Sequence, residues 1–289
     1  MSKKIASIVT GALLCSFVAG FSGSIPAKAE ILTNTIQVQT NKKMATQFGS
    51  DDSLYQVSLL NALMQGDYDG SVSVGELLKH GDTGLGTFNK LDGEMIVIDG
   101  KVYKAKSDGT VEKQPDTELT PFAAVTFMNN DYTLSGLNGV KNLNELKALL
   151  DKAVKEQVAD KNAFYMAKID GEFNMAHVRS VPKQEKPYRP LSQVADEQKE
   201  YEYKNVKGTI IALYCPDYME GINLPTWHFH FITDQRDKGG HLLDINIKSV
   251  KGSMDKMDSY KLVLPTSSTF SNMELATDLS KETEKAENK

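Results

Sequence analysis

The sequence predicts a mixed α/β (α+β) chain with a largely antiparallel second half, and three patterns carry that prediction. One clear amphipathic helical period stands at residues 142–157, where Leu143, Leu146, Leu149, Leu150 and Val154 return to one face. After it, stretches at 163–169, 171–180, 201–214, 227–233, 241–249 and 259–264 read as strands. Before it, residues 93–103 read as a hairpin turning at Asp99-Gly100, a pair suited to the positive φ angles of a tight turn. The expected architecture is two sheet-containing subdomains, about 53–160 and 161–266, with any metal site on the C-terminal strands.

The remaining segments follow in chain order. Lys3-Lys4, an apolar run from Ile5 to Phe21 and then Ala27-Lys28-Ala29 give the basic, hydrophobic and small-residue order of a secretory signal peptide over residues 1–29. The apolar stretch is short for a membrane span and is broken by Gly, Ser and Thr, so no stable membrane anchor is expected. Leu14 before Cys15 argues against lipoprotein processing, which asks for a small residue there. Residues 30–52, rich in Thr, Asn, Gln and Lys, read as a flexible lead-in, and the core begins near Leu54. Residues 57–65 and 73–79 read as helices. A tail, residues 267–289, ends in a run of alternating charge that by itself reads as a solvated terminus. Walker loops, dinucleotide fingerprints, nucleophile elbows and internal repeats are absent from the sequence.

Charge and cysteine content narrow the class. The chain carries 33 Lys and Arg against 38 Asp and Glu, a net charge of −5. Cleavage near Ala29 removes three lysines and no acid, taking the charge to −8, so nucleic acid is not an expected partner. Cys15 leaves with the leader and Cys215 stays, so no intramolecular disulfide is expected in a secreted or envelope-associated chain. Roughly 260 mature residues suffice for one large or two modest cores.

The chemistry concentrates in the histidines. Three of the five lie within fourteen residues, as Trp227-His228-Phe229-His230 and then Gly239-Gly240-His241. On a strand, His228 and His230 project from one face while Phe229 and Phe231 project from the other. The polar, glycine-ended stretch from Asp234 to Gly240 is a turn that can return the chain and deliver His241. Three nitrogen ligands and no thiolate suit a catalytic zinc site with an open position better than a closed structural one. Alternating histidines satisfied by backbone partners remain the plain alternative. His80 and His177 fall outside the constellation.

Several further stretches, Gly81-Asp82-Thr83-Gly84-Leu85-Gly86-Thr87, Leu91-Asp92-Gly93-Glu94-Met95, Arg179-Ser180-Val181-Pro182-Lys183-Gln184 and Tyr201-Glu202-Tyr203-Lys204, combine with the histidine block. Together they resemble the bacterial α-acetolactate decarboxylases from about Leu54 to Leu264. The resemblance implies that His228, His230 and His241 bind Zn2+, that Glu94 and Arg179 are catalytic, and that a tail glutamate reaches the metal. Glu287 is the best match for that glutamate, with Glu284 and Glu282 as alternatives. Thr87 and Leu91 match residues near the substrate pocket.

The implied substrate is 2-acetolactate, which loses carbon dioxide to give acetoin, and the implied assembly is a homodimer. Zinc would polarise the ketone and stabilise an enediolate, which a poorly solvated glutamate or water protonates. Arg179 would orient the substrate by paired hydrogen bonds. A cupin-like metalloenzyme is one competing reading, weakened because Asp234 is the nearest acid after the His-Phe-His segment and the glycine-proline framing is missing. An exported binding protein with a structural zinc is the other.

Overall fold

The computed structural model describes residues 34–41 and 52–287. The expected signal peptide, residues 1–29, and much of the expected lead-in lie outside the described residues.

Among the described residues the early strands are β1 (Gln37–Thr40), β2 (Ser53–Val57), β3 (Val72–Ser73), β4 (Thr83–Thr87), β5 (Glu94–Ile98), β6 (Lys101–Ala105), β7 (Val111–Lys113), β8 (Leu119–Thr120), β9 (Ala123–Thr126) and β10 (Tyr132–Ser135). The later ones are long: β11 (Phe164–Ser180), β12 (Lys199–Cys215), β13 (Thr226–Thr233) and β14 (Gly239–Met257), followed by the short β15 (Ser259–Val263). The helices are α1 (Leu60–Met64), α2 (Val74–Leu77), α3 (Leu143–Lys152), α4 (Leu191–Val194), α5 (Ser268–Ser271) and α6 (Ser280–Glu287).

Two main sheets form. The six-stranded one runs β1-β10-β14-β11-β12-β13, and β13 also pairs with β14, so β11 to β14 close into a ring. The seven-stranded one runs β15-β2-β9-β4-β5-β6-β7, antiparallel except for the parallel β15–β2 pair. One face of the ring packs on this second sheet through Met166, Ile211 and Ile232 against Leu85, Ile96 and Ala124. Its other face takes Leu146 and Leu150 of α3 against Tyr214, Phe229 and Phe231. Alternation along β13 therefore sends Phe229 and Phe231 to the helix side and leaves His228 and His230 facing the second sheet.

Most expected elements are present, with displaced bounds. The hairpin turns at Asp99-Gly100, whose φ angles of 51° and 68° are those of the predicted tight turn. The 142–157 helix begins with Asn142 accepting from the Glu145 N–H at 2.8 Å, then passes into a wider π-helical stretch over Ala153–Val158. The stretches 163–169 and 171–180 are one strand, β11, continuous through Gly171; a Cβ there would lie 2.2 Å from the Ser249 carbonyl oxygen. The 57–65 helix shrinks to α1, because Val57 belongs to β2 and Ser58 turns the chain with φ 62°.

Two expectations about organisation are corrected. The lead-in is not wholly without structure: β1 pairs with β10, and Ile36 beside it is buried in the core of the first sheet. Nor do the sheets divide the chain at residue 160. β1 and β10 join the sheet of the second half, and β15 joins that of the first, so the two sheets are interleaved in sequence. Strands 83–87 and 123–126 were hidden in glycine- and alanine-rich segments that lack the usual bulky alternation.

Candidate active site

Cross-strand register assembles the site. His230 of β13 stands opposite His241 of β14, and His241 stands opposite Arg179 of β11, so three functional side chains form a row across three strands. His228 joins them from two residues along β13. The close approach depends on Gly240: a Cβ there would lie 2.5 Å from the Arg179 carbonyl oxygen. The predicted glycine-ended turn thus also lets β14 press against β11 where the site is built.

The second sheet contributes from β5. The His230 Nδ1 lies 2.7 Å from the Met95 carbonyl, so that nitrogen carries the proton and donates it, leaving Nε2 with its lone pair free. The next residue back along β5, Glu94, puts Oε2 3.6 Å from that His230 Nε2. Glu94 Oε1 accepts from Arg179 Nη1 at 3.3 Å. Thr87, opposite Glu94 in the β4–β5 ladder, donates its hydroxyl to the Gly93 carbonyl at 2.8 Å, fixing the start of β5.

The tail supplies the remaining carboxylate. Helix α6 docks against α4, with Lys285 bonded to Asp196 and to the Ser192 carbonyl. Thr283 and Ala286 face inward while Glu282 and Glu284 are exposed. Glu287 at the end of the helix places Oε2 3.5 Å from His241 Nε2, 3.9 Å from His228 Nε2 and 3.8 Å from Arg179 Nη2. Of the three tail glutamates, Glu287 is the one at the histidines.

The electrostatics follow from burial. Desolvation pushes the Glu94 carboxyl up to about 7, against the pull of Arg179 and with help from Glu287. Glu287 is raised for the same leading reason. Burial lowers all three imidazoles, His228 to about 3, with the Arg179 cation contributing. They are therefore neutral at ordinary pH, the form in which an imidazole can ligate a metal.

These residues fit a bound cation. The three histidines each offer one ligand atom, all within 4.8 Å of one another. His228 Nε2 and His241 Nδ1 are 3.1 Å apart. Two nitrogens on one tetrahedral zinc stand about 3.4 Å apart, given Zn–N lengths of about 2.05 Å. A mutual N–H···N bond would explain that pair alone. It would not explain His230 Nε2 and Glu287 Oε2, both buried at the same point without a hydrogen-bond partner.

Two cavities meet here. A small inner one of about 40 Å³ has Thr87, Leu91, Glu94 and Arg179 in its wall. A larger outer one, about 480 Å³, lies toward α3 and includes Lys147 and Trp227. His228, His241, Leu224 and Glu287 line both and so separate them. Of the sequence-predicted site residues, Thr87, Leu91, Glu94 and Arg179 line the inner cavity, His228, His241 and Glu287 line both, and His230 lies buried beside Glu94. His80 instead stacks on Tyr55 at 4.0 Å, and His177 pairs with Glu200 at the outer cavity. The Met95 carbonyl and Lys147 were missed: a backbone acceptor leaves no mark in sequence, and Lys147 reads there as a helix-surface charge.

A buried triad of neutral imidazoles that could hold a metal ion, beside two carboxyl groups and an arginine and opening on a small cavity, has the make-up of an enzyme active site. The profile of the family described as alpha-acetolactate decarboxylase matches residues 54–277. The chain is similar to the Alpha-acetolactate decarboxylase of Methanosarcina mazei, at 38% identity covering 93% of this chain and 91% of the relative, and to that of Brevibacillus brevis, at 34% with 93% of each covered. It also superposes on the crystal structure of alpha-acetolactate decarboxylase from Bacillus subtilis strain 168 with a TM-score of 0.77 and 34% identity, covering 82% of this chain and 100% of that one. The chain belongs to the alpha-acetolactate decarboxylase family, and it is an enzyme, a carboxy-lyase.

Proposed function

We propose that this chain decarboxylates 2-acetolactate to acetoin with a zinc ion held by His228, His230 and His241. The observation that carries the reading is the convergence of three neutral imidazoles, Glu94, Glu287 and Arg179 on one buried point. Zinc there would supply Lewis acidity to the carbonyl that must take up the electrons left by carbon dioxide. Arg179 holds Glu94 in place and lines the inner cavity, where its guanidinium orients an anionic oxygen. It binds the departing carboxylate too weakly to oppose its loss, because its guanidinium is already engaged by Glu94 and the Ala286 carbonyl.

Loss of carbon dioxide breaks one carbon–carbon bond and leaves an electron pair that must be protonated. Glu94, raised to about 7 by burial, is protonated in a substantial fraction of molecules at neutral pH and lines the inner cavity. It gives that proton to the carbon and regains one from water. Delivery from one fixed face yields acetoin of one configuration. Export of the enzyme is supported by the leader-like residues 1–29.

The test is turnover of racemic 2-acetolactate in deuterium oxide by wild type and Glu94→Gln. Wild type is expected to release deuterated acetoin of one configuration, and Glu94→Gln to lose at least a hundred-fold in kcat, in the range of a lost acid catalyst. Equal rate and configuration in both would remove Glu94 from the proton transfer.

A further inference from the structure

The outer cavity holds a cation that no carboxylate of the described chain is close enough to pair. Lys147 projects from α3 into this cavity, with its ammonium 5.9 Å from the centre of the Phe229 ring. Asp151, one turn further along α3, is already bonded to Lys155 at 2.8 Å and to the Trp227 indole N–H at 3.0 Å. Burial lowers the Lys147 pKa, and Glu287 and Asp151 only partly offset it. An arriving anion would restore the favourable interaction this ammonium lacks.

The rest of the entrance is acidic. Glu200, Glu284 and Glu287 line the same cavity, and His177 is taken up by Glu200 at 3.0 Å. The chain as a whole carries a net charge of −5. Apart from Lys147 and the Glu200-paired His177, the charged side chains that line this cavity beside the histidine triad are acidic, so an anionic hydroxy-keto acid finds its attraction there at Lys147. The inner cavity, about 40 Å³, shares His228, His241 and Glu287 with the outer one.

We infer that Lys147 is a positioning residue for the substrate: it captures the carboxylate of the incoming acid in the outer cavity and sets it beside the histidines before the reaction. The inference rests on the proposed decarboxylation for its substrate class, not for the site itself. Lys147 does not touch the reacting carbon, so it acts on capture and leaves the chemical step unchanged. Arginine at this position preserves the charge and glutamine removes it.

Two measurements test this. In steady-state turnover, Lys147→Gln is expected to raise KM roughly ten-fold, about the worth of a hydrogen bond to a charged group, with kcat within two-fold and Lys147→Arg restoring KM. Salt reads the same effect by slope. Added salt screens the attraction to Lys147 and lowers kcat/KM in wild type, and in Lys147→Gln kcat/KM is expected to fall less steeply with salt. Calorimetric titration of both proteins with unreactive 2-hydroxy-2-methylpropanoate, and with its neutral amide, reads Lys147 without turnover. Weaker binding of the acid but not of the amide in Lys147→Gln supports the inference. Acetoin release with KM, salt response and acid binding unchanged in Lys147→Gln overturns it alone. Wild-type protein that releases no acetoin overturns the proposed function, while the acid titration still decides whether Lys147 is an anion site.

Discussion

Arg179 Nη2 donates to the Ala286 carbonyl at 3.0 Å, so the residue that steadies Glu94 also holds the last turn of the tail helix. A cation bonded to a helix C-terminal carbonyl complements the dipole there, and here it fixes the backbone one residue before Glu287. The guanidinium fork thus joins β5, β11 and α6 at one point. Lysine has neither the fork nor the reach to serve both partners. Arg179→Lys is expected to cut kcat/KM by about a hundred-fold or more, in line with the loss of geometric control. Limited proteolysis should release the tail faster than in wild type. A variant with low activity but a protected tail would separate the two roles.

Truncation before Lys281 removes Glu287 together with two buried side chains, Thr283 and Ala286. The apolar area these two small side chains bury is small, so stability is expected to fall by about 1–2 kcal/mol. Activity should fall far more, since a carboxylate and the Arg179 anchor are lost together. Thermal unfolding and acetoin release on the same preparation check this, and unchanged turnover would take the tail out of the mechanism.

Gly240→Ala places a Cβ 2.5 Å from the Arg179 carbonyl oxygen and 3.1 Å from the Val178 Cβ. The β14–β11 contact must widen, which moves His241 relative to His230. Overpacking of this kind costs roughly 1–3 kcal/mol. The expected result is a lowered Tm with disproportionate loss of zinc affinity, read by competition with a chromophoric chelator. Zinc affinity equal to wild type would show that the histidine geometry does not depend on this approach.

Asp255 is a distant titrating group. It is fully buried on β14, both carboxylate oxygens lack a hydrogen-bond partner of good geometry, and burial with the nearby Asp131 and Asp52 pushes it up to about 7, partly offset by the Asn129 and Asp131 N–H groups. The folded state therefore holds a proton that the unfolded chain releases near 4. The stability tied to that proton is full below about pH 4 and is lost as pH rises through 7. Asp255→Asn should unfold at about the wild-type temperature at pH 4 and at a higher one at pH 8, by an amount on the order of a few kcal/mol. Equal Tm differences at both pH values would refute the assignment.

What the sequence made legible followed from periodicity and local chemistry. His228 and His230 could be paired because alternate strand residues share a face, and Asp99-Gly100 dictated its turn. His241 could be grouped with them, but not placed, because register is set by long-range pairing: β14 runs from Gly239 to Met257 and bonds to β13, β11 and β10 at different points. Glu94 and Arg179 carried no local mark and were reached through the family resemblance. Of Glu282, Glu284 and Glu287, the first two are exposed on α6 and Glu287 lies beside His241 and His228, a distinction that only the helix geometry makes visible. The interleaving of the sheets was invisible for the same reason as register: β1 and β15 are short, weakly patterned segments whose partners lie far away in the chain.

The central claim is that these three histidines bind the metal on which decarboxylation depends. Its most direct test is acetoin release from 2-acetolactate by chelator-stripped protein titrated with zinc. The account predicts no release at zero metal, a linear rise and a plateau at about one equivalent per chain, the capacity of a single three-histidine centre. Full turnover by metal-free protein, or an unaltered titration in His230→Ala, would contradict it.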